Sequence, residues 1–360
     1  MKIFTQFTAF SLELSEIEEK IIADSDINSL VTGEAYDIFG DIKIDNSTNL
    51  AKEAIGIFER GKVYINEIFA KSTETMVKIL VIIVISSLGI GFSVGNDVKN
   101  IEIYINMATT LSVAYIILLD VRSILALCMQ AIFDIDILSK GIMPVMVTAI
   151  SMSGAPTTAS LHYFATMFAF DLVISLIYRL MFPLIYVYIA IITVNSAISN
   201  DILIKLADFL KWGVVGSLKI IITLFITYLT ISGAISGNAD IFAVKTTKLL
   251  VSSTVPVVGS IISDASESIL IGASVIKNSI GVFGIFAVVS VCFIPVLYIL
   301  VNFFMFKVMS VVVSVISTKN ITKLLEGISE SYSMALAMIC SCASILFIMM
   351  VISIVFVGGL

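Results

Sequence analysis

The chain has 360 residues, of which 59% are hydrophobic and only 13% charged, and its mean hydropathy is +1.09. A water-soluble fold of this composition would lack the polar side chains to cover its surface, so lipid must solvate most of it. Residues 1–78 hold 14 acidic and 8 basic residues while residues 79–360 hold 13 of each; with a pI near 4.9 and no basic run, a nucleic-acid partner is excluded.

In chain order, residues 1–75 read as an acidic extramembrane segment, helical in part. Lys2 provides a positive start, but Ile3–Phe10 is short and interrupted by Thr5, Gln6 and Thr8. It makes a poor signal peptide, so the expectation is either insertion through later helices or a native start other than Met1. Turn residues around Gly33, Gly40 and Asp45–Asn49 precede a helix expected over Leu50–Lys78. Ile55, Phe58, Ile65, Ile68, Phe69 and Met76 form its rough apolar stripe. That helix either packs on its own domain or the membrane surface, or docks a partner protein.

Membrane helices follow from residue 76. A span needs about 17–25 mostly apolar residues. Candidates are 76–94, 103–119, 121–133, 142–160, 161–179, 182–199, 214–236, 250–275, 278–295, 297–317 and 333–357, several of them interrupted. The count expected is eight to ten, with one or two entering and leaving on the same side. The fold class is therefore all-α: a polytopic helical bundle in the membrane with a small helical N-terminal segment.

The prolines suggest an internal two-fold repeat. Pro144 to Pro256 and Pro183 to Pro295 are both 112 positions apart. Pro144-Val145 matches Pro256-Val257, and Pro183-Leu-Ile-Tyr186 matches Pro295-Val-Leu-Tyr298. Residues 76–137 would then be N-terminal spans, 138–249 the first unit and 250–360 the second. Such paired units are frequent in transporters. Three spans per unit would make the copies inverted and four would make them parallel; the Lys/Arg pattern leaves both open.

Two semi-polar segments are the candidate lining of a conduit or solute site. The first contains Pro144, Gly154, Pro156 and Thr157; the second contains Pro256, Gly259, Asp264, Glu267, Gly272, Lys277 and Asn278. Small residues there let helices approach closely, and Gly or Pro breaks free backbone groups that need protein or water partners. Tight packing, or a place near the headgroups, explains the same residues without a solute. Asp171 lies inside the apolar run 164–177, where a charge costs about 2.5–3.5 kcal/mol on insertion scales and so should face protein or water. Arg179 is too far along the helix to pair with it directly, about 12 Å. Lys219 and Lys307 are long enough to snorkel. His162, the single histidine, reads as interfacial or packed.

Cys128, Cys292, Cys340 and Cys342 all fall in apolar stretches without neighbouring ligands, so no metal is expected and no cofactor. HExxH, GxSxG and phosphate-loop patterns are missing, and catalysis is not expected.

Pro256–Gly281, PVVGSIISDASESILIGASVIKNSIG, resembles the stage III sporulation protein AE family of endospore-forming bacteria. The likeness rests on the Pro-Val-Val-Gly start, Ser263–Ala265, Gly272-x-Ser274, and Lys277-Asn278 followed by Gly281. Met143 to Ser160 and the soluble-then-membrane plan are similar too. The resemblance implies a component of a channel or secretion-like complex at the double membrane between mother cell and forespore. It implies a place in the outer forespore membrane, with residues 1–78 between the two membranes, and a role in late forespore development. Partners would be other stage III sporulation membrane proteins and membrane lipid; self-association is open. The family brings no catalytic residues to carry over. A secondary transporter for a small solute and a non-conducting assembly scaffold are the alternative readings.

Overall fold

The computed structural model describes residues 50–93, 99–152, 156–198, 200–254 and 259–355, and within them most side chains outside 50–65, 152–159, 161–162 and 229–283. Apolar, helix-compatible sequence in lipid leaves the backbone one economical way to satisfy its N–H and C=O groups, which is to bond within each segment. Accordingly the described residues are helical, with no strand among them. The helices are α1 (Leu50–Ser93), α2 (Lys99–Met152), α3 (Pro156–Leu176), α4 (Phe182–Ile198), α5 (Asp201–Thr254), α6 (Gly259–Ile316) and α7 (Lys319–Val355). One π-helical turn, Ile177–Met181, joins α3 to α4.

Among the described residues six helical stretches are long and apolar enough to cross a membrane: Ile68–Phe92, Tyr104–Thr148, Tyr163–Ile198, Asp201–Tyr228, Ala287–Ile316 and Lys319–Val351. The chain is a multi-pass membrane protein. Six is the number among the described residues; the expected spans 250–275 and 278–295 lie wholly or partly outside the side chains described. Asp120, Arg122, Asp134, Asp136 and Lys140 lower the local hydropathy of α2, yet its 54 residues stay one helix, because a charged side chain leaves the backbone ladder intact. Likewise 161–179 and 182–199 join through the π turn, and the segments within 259–316 form the 58-residue α6. The helix expected over Leu50–Lys78 continues without a break into the first span.

Three sharp reversals lie within reach of description. Ser86 and Thr109 hydrogen-bond between α1 and α2, which makes that pair an antiparallel hairpin. Asn195 and Asn200 build the α4–α5 corner: Asn195 Oδ1 accepts the Asn200 N–H at 3.0 Å, and Asn200 Oδ1 accepts the Ile202 N–H at 2.9 Å, capping α5. The α6–α7 corner is Ser317-Thr318, with the Ser317 N–H bonded to the Val313 carbonyl at 2.8 Å.

The two proline environments differ. Pro183 has no N–H, and its ring crowds the carbonyl four residues back, that of Arg179. The π turn centred on Arg179 widens the helix at that spot, with the Phe182 N–H reaching back to the Ile177 carbonyl. Pro295 and Pro144 lie inside uninterrupted α6 and α2.

α7 is the axis of the bundle. It packs against α2, α3, α4, α5 and α6, and 56% of its most apolar window is buried, against 17% in α1 and in α5. Leu324, Ile328, Ala335, Met338, Ile345 and Met349 are fully enclosed. Lipid tails are as apolar as these side chains, so their gain is close packing rather than escape from water. Close approach is visible where a Cβ on Gly327 of α7 would overlap Ile192 of α4.

Candidate functional site

The side chains with chemistry form two groups. The first lies around the N-terminal half of α7. Glu326 and Glu330 are one turn apart and project toward different neighbours. Glu326 pairs with Lys307 of α6 at 3.0 Å. Glu330 pairs with Lys211 of α5 at 2.6 Å and accepts a hydrogen bond from the Tyr188 hydroxyl of α4 at 2.7 Å. Glu330 thus ties α4, α5 and α7 together. Two residues on, the Tyr332 hydroxyl, on a fully buried side chain, donates to Asp120 of α2 at 3.2 Å. Tyr332 also stacks edge-on against Phe306 of α6 at 5.3 Å between centroids. Lys71 of α1 completes the group, its ammonium 5.6 Å from the centre of the Tyr298 ring of α6.

The second group lies across α2 and α3. Lys140 is bonded to Asp136 at 2.8 Å, one turn earlier on α2, and reaches Asp171 of α3 at 3.5 Å. The Gln130 amide donates to Asp134 at 2.9 Å. The Tyr178 hydroxyl donates to the Met129 carbonyl at 2.7 Å and fixes the antiparallel register of the two helices. The inner oxygen of Asp136 and the Ser139 hydroxyl are buried without a hydrogen-bond partner among the described residues.

Of the expected site residues, Pro144 and Asp171 are the ones whose side chains are described. Asp171 does find a cation, and that cation is Lys140 from the preceding helix rather than Arg179. Pro144 is exposed on α2, and neither it nor Gly272 of α6 interrupts its helix. Pro156 opens α3, where a missing N–H costs nothing, and Gly259 opens α6. Gly154 and Pro256 lie outside the described residues, as do the side chains of Pro156, Thr157, His162, Asp264, Glu267, Lys277 and Asn278. Lys307, ambiguous as a snorkelling residue, is the partner of Glu326. Asp120, Asp136, Lys140, Lys211 and Glu330 fall in the gaps between the candidate spans, so hydropathy does not mark them as members of a helix. Their spacing inside otherwise continuous apolar runs was the available signal.

Cys128, Cys292 and Cys342 are buried and Cys340 is exposed, all of them free. No group of three or more metal-ligating side chains occurs among the described residues.

The model of the family described as stage III sporulation protein AE matches residues 46–358, which covers every described helix. The chain belongs to the stage III sporulation protein AE family. A curated relative, stage III sporulation protein AE of Bacillus subtilis (strain 168), is 22% identical over 233 residues. That match covers 62% of this chain and 58% of the relative, so the chain spans somewhat less than two thirds of it. No solved structure matches. Membership of a sporulation family accords with the resemblance at 256–281.

Proposed function

We propose that this stage III sporulation protein AE family member is a non-catalytic membrane subunit of a channel or secretion-like complex connecting mother cell and forespore. On this reading it sits in the mother-cell-derived outer forespore membrane, works with other stage III sporulation membrane proteins, and supports late forespore development. The observation that carries the reading is the family match across residues 46–358, which takes in the whole described bundle.

A second observation favours a platform over a tunnel within one copy. The described interior is filled largely by Ile, Leu and Met side chains, and Glu330, Tyr188, Lys211, Tyr332 and Asp120 pair with one another between helices. A conduit built from such subunits would run between them, or along the polar stretch 256–278. The 112-residue proline spacing supports two related units in this reading.

The test is an in-frame deletion in the source organism, complemented by wild type and by Asp171→Asn, Asp264→Asn and Glu267→Gln. Loss of heat-resistant spores after engulfment, restored by wild type, is the expected result. Normal sporulation in the deletion strain would refute the assignment. Variants that insert normally and sporulate fully would remove those three carboxylates from any lining. Solute flux in liposomes holding the purified chain alone would point instead to a self-sufficient transporter.

A further inference from the structure

Three contacts fix the register of the α6–α7 pair. Lys307 meets Glu326 at 3.0 Å, and the Ser329 hydroxyl donates to the Phe303 carbonyl at 3.3 Å. Farther along, a Cβ on Gly284 would lie 3.1 Å from the Met350 sulfur. The two helices are therefore antiparallel and stay in contact over this whole length.

Two cysteines fall between those contacts. Cys292 precedes Phe303 by 11 residues, and Cys340 follows Ser329 by 11. In an α-helix 11 residues make about three turns, which returns a side chain to the same face. Three turns back along α6 and three turns forward along α7 reach the same level of an antiparallel pair. Cys292 and Cys340 thus stand opposite each other. Both are free, and the two thiols lie within electrostatic reach of one another.

They differ in access. Cys340 is exposed, while Cys292 is only 8% exposed. A reagent therefore meets Cys340 first and leaves Cys292 as the second thiol. Cys342 also lies within electrostatic reach of Cys292, but it is fully enclosed and points about 200° round the helix from Cys340. Cys128 is fully enclosed too, its thiol 3.6 Å from the Ala335 carbonyl.

We propose that Cys340 and Cys292 form a redox-modification site, which an apolar disulfide oxidises to a bond linking α6 to α7. Both helices lie in spanning stretches, so the oxidant has to partition into lipid. The Cys340 sulfur, losing its proton, attacks one sulfur of the oxidant and releases the other half as a thiol. The Cys292 sulfur, losing its proton, then attacks the Cys340 sulfur and releases the second half as a thiol. The two protein thiols give up two electrons and two protons, and the oxidant leaves as two thiols. The new bond ties the axial helix to its neighbour, and a thiol reductant reverses it. This inference is independent of the assignment above.

The test exposes the reduced full-length chain in phosphatidylcholine vesicles to dithiodipyridine, an apolar disulfide. Released thiopyridone is measured by absorbance, and peptides are mapped by mass spectrometry. Wild type should release twice as much thiopyridone per chain as C292A, and should carry a Cys292–Cys340 bond with no pyridyl group retained. C292A should keep one pyridyl group on Cys340, and C340A should release almost none. The C128A/C342A double variant should form the bond as wild type does. A pyridyl group that stays on Cys340 in wild type overturns the proposal, and so does a bond from either cysteine to Cys342 or Cys128. The wild-type peptide map decides the pairing by itself, so a variant that misfolds does not remove the test. Sporulation is not read, so the outcome is separate from that of the deletion strain.

Discussion

Charges in this bundle meet two different fates. Around the N-terminal half of α7, polar side chains from five helices close on one another: Lys307 with Glu326, Lys211 and Tyr188 with Glu330, Asp120 with Tyr332. Across α2 and α3, Lys140 serves two acids while Arg122 and Arg179 have none among the described residues. The contrast teaches that the first group ties helices to one another while the second leaves cations on the exposed surface. A polar group inside low dielectric is stable only when its donors and acceptors are matched.

The comparison breaks most clearly at Glu330. Glu330→Ala strands the Lys211 ammonium and the Tyr188 hydroxyl together, and should lower stability by about 1.5–3 kcal/mol, the range for hydrogen bonds to charged groups. Thermal unfolding in detergent reads this. The Lys211→Met/Glu330→Leu double variant should recover part of the loss, because an apolar pair leaves no orphaned charge. An additive double variant would show that the bridge is incidental.

Next comes Gly327→Val, which sets side-chain atoms against Ile192 between α4 and α7. A loss of about 1–3 kcal/mol is expected from overpacking, partly relieved by Ile192→Ala. Tyr332→Phe removes the donor to Asp120 and should cost about 1 kcal/mol. Lys307→Ala should change stability by less than about 1 kcal/mol, since both members of its pair are about half exposed (46% and 50%). Arg122→Gln should leave the isolated chain as stable as wild type or slightly more so, which sharpens the contrast with Glu330. The smallest perturbation is chemical: maleimide in mild detergent should modify Cys340 well before Cys128, Cys292 or Cys342.

Much of the architecture was legible from residue order. Ile, Leu, Val and Phe in runs of twenty, with few charges, allow little besides helices in lipid. Where the spans divide was not legible. Hydropathy drops at Asp120 and at Asp134–Lys140 look like loops, whereas a helix carries a charged side chain at no cost to its own hydrogen bonds. Pro183 shows the same limit: identical chemistry at Pro295 leaves α6 continuous, and at Pro183 the backbone widens into a π turn. The family signature at 256–281 was readable, but its side chains lie outside the described residues, so their chemistry rests on sequence.

Composition by itself determined the solvent, the helical class and the expectation that polar residues within apolar runs must be matched. Those are properties of each segment and of the water it avoids. Tertiary structure alone decided the matches. Tyr188 and Glu330 are 142 positions apart, and Asp120 and Tyr332 are 212 apart. No local rule names such partners, because they follow from how long helices stack around α7, and that stacking is a sum of many weak contacts spread over the whole chain.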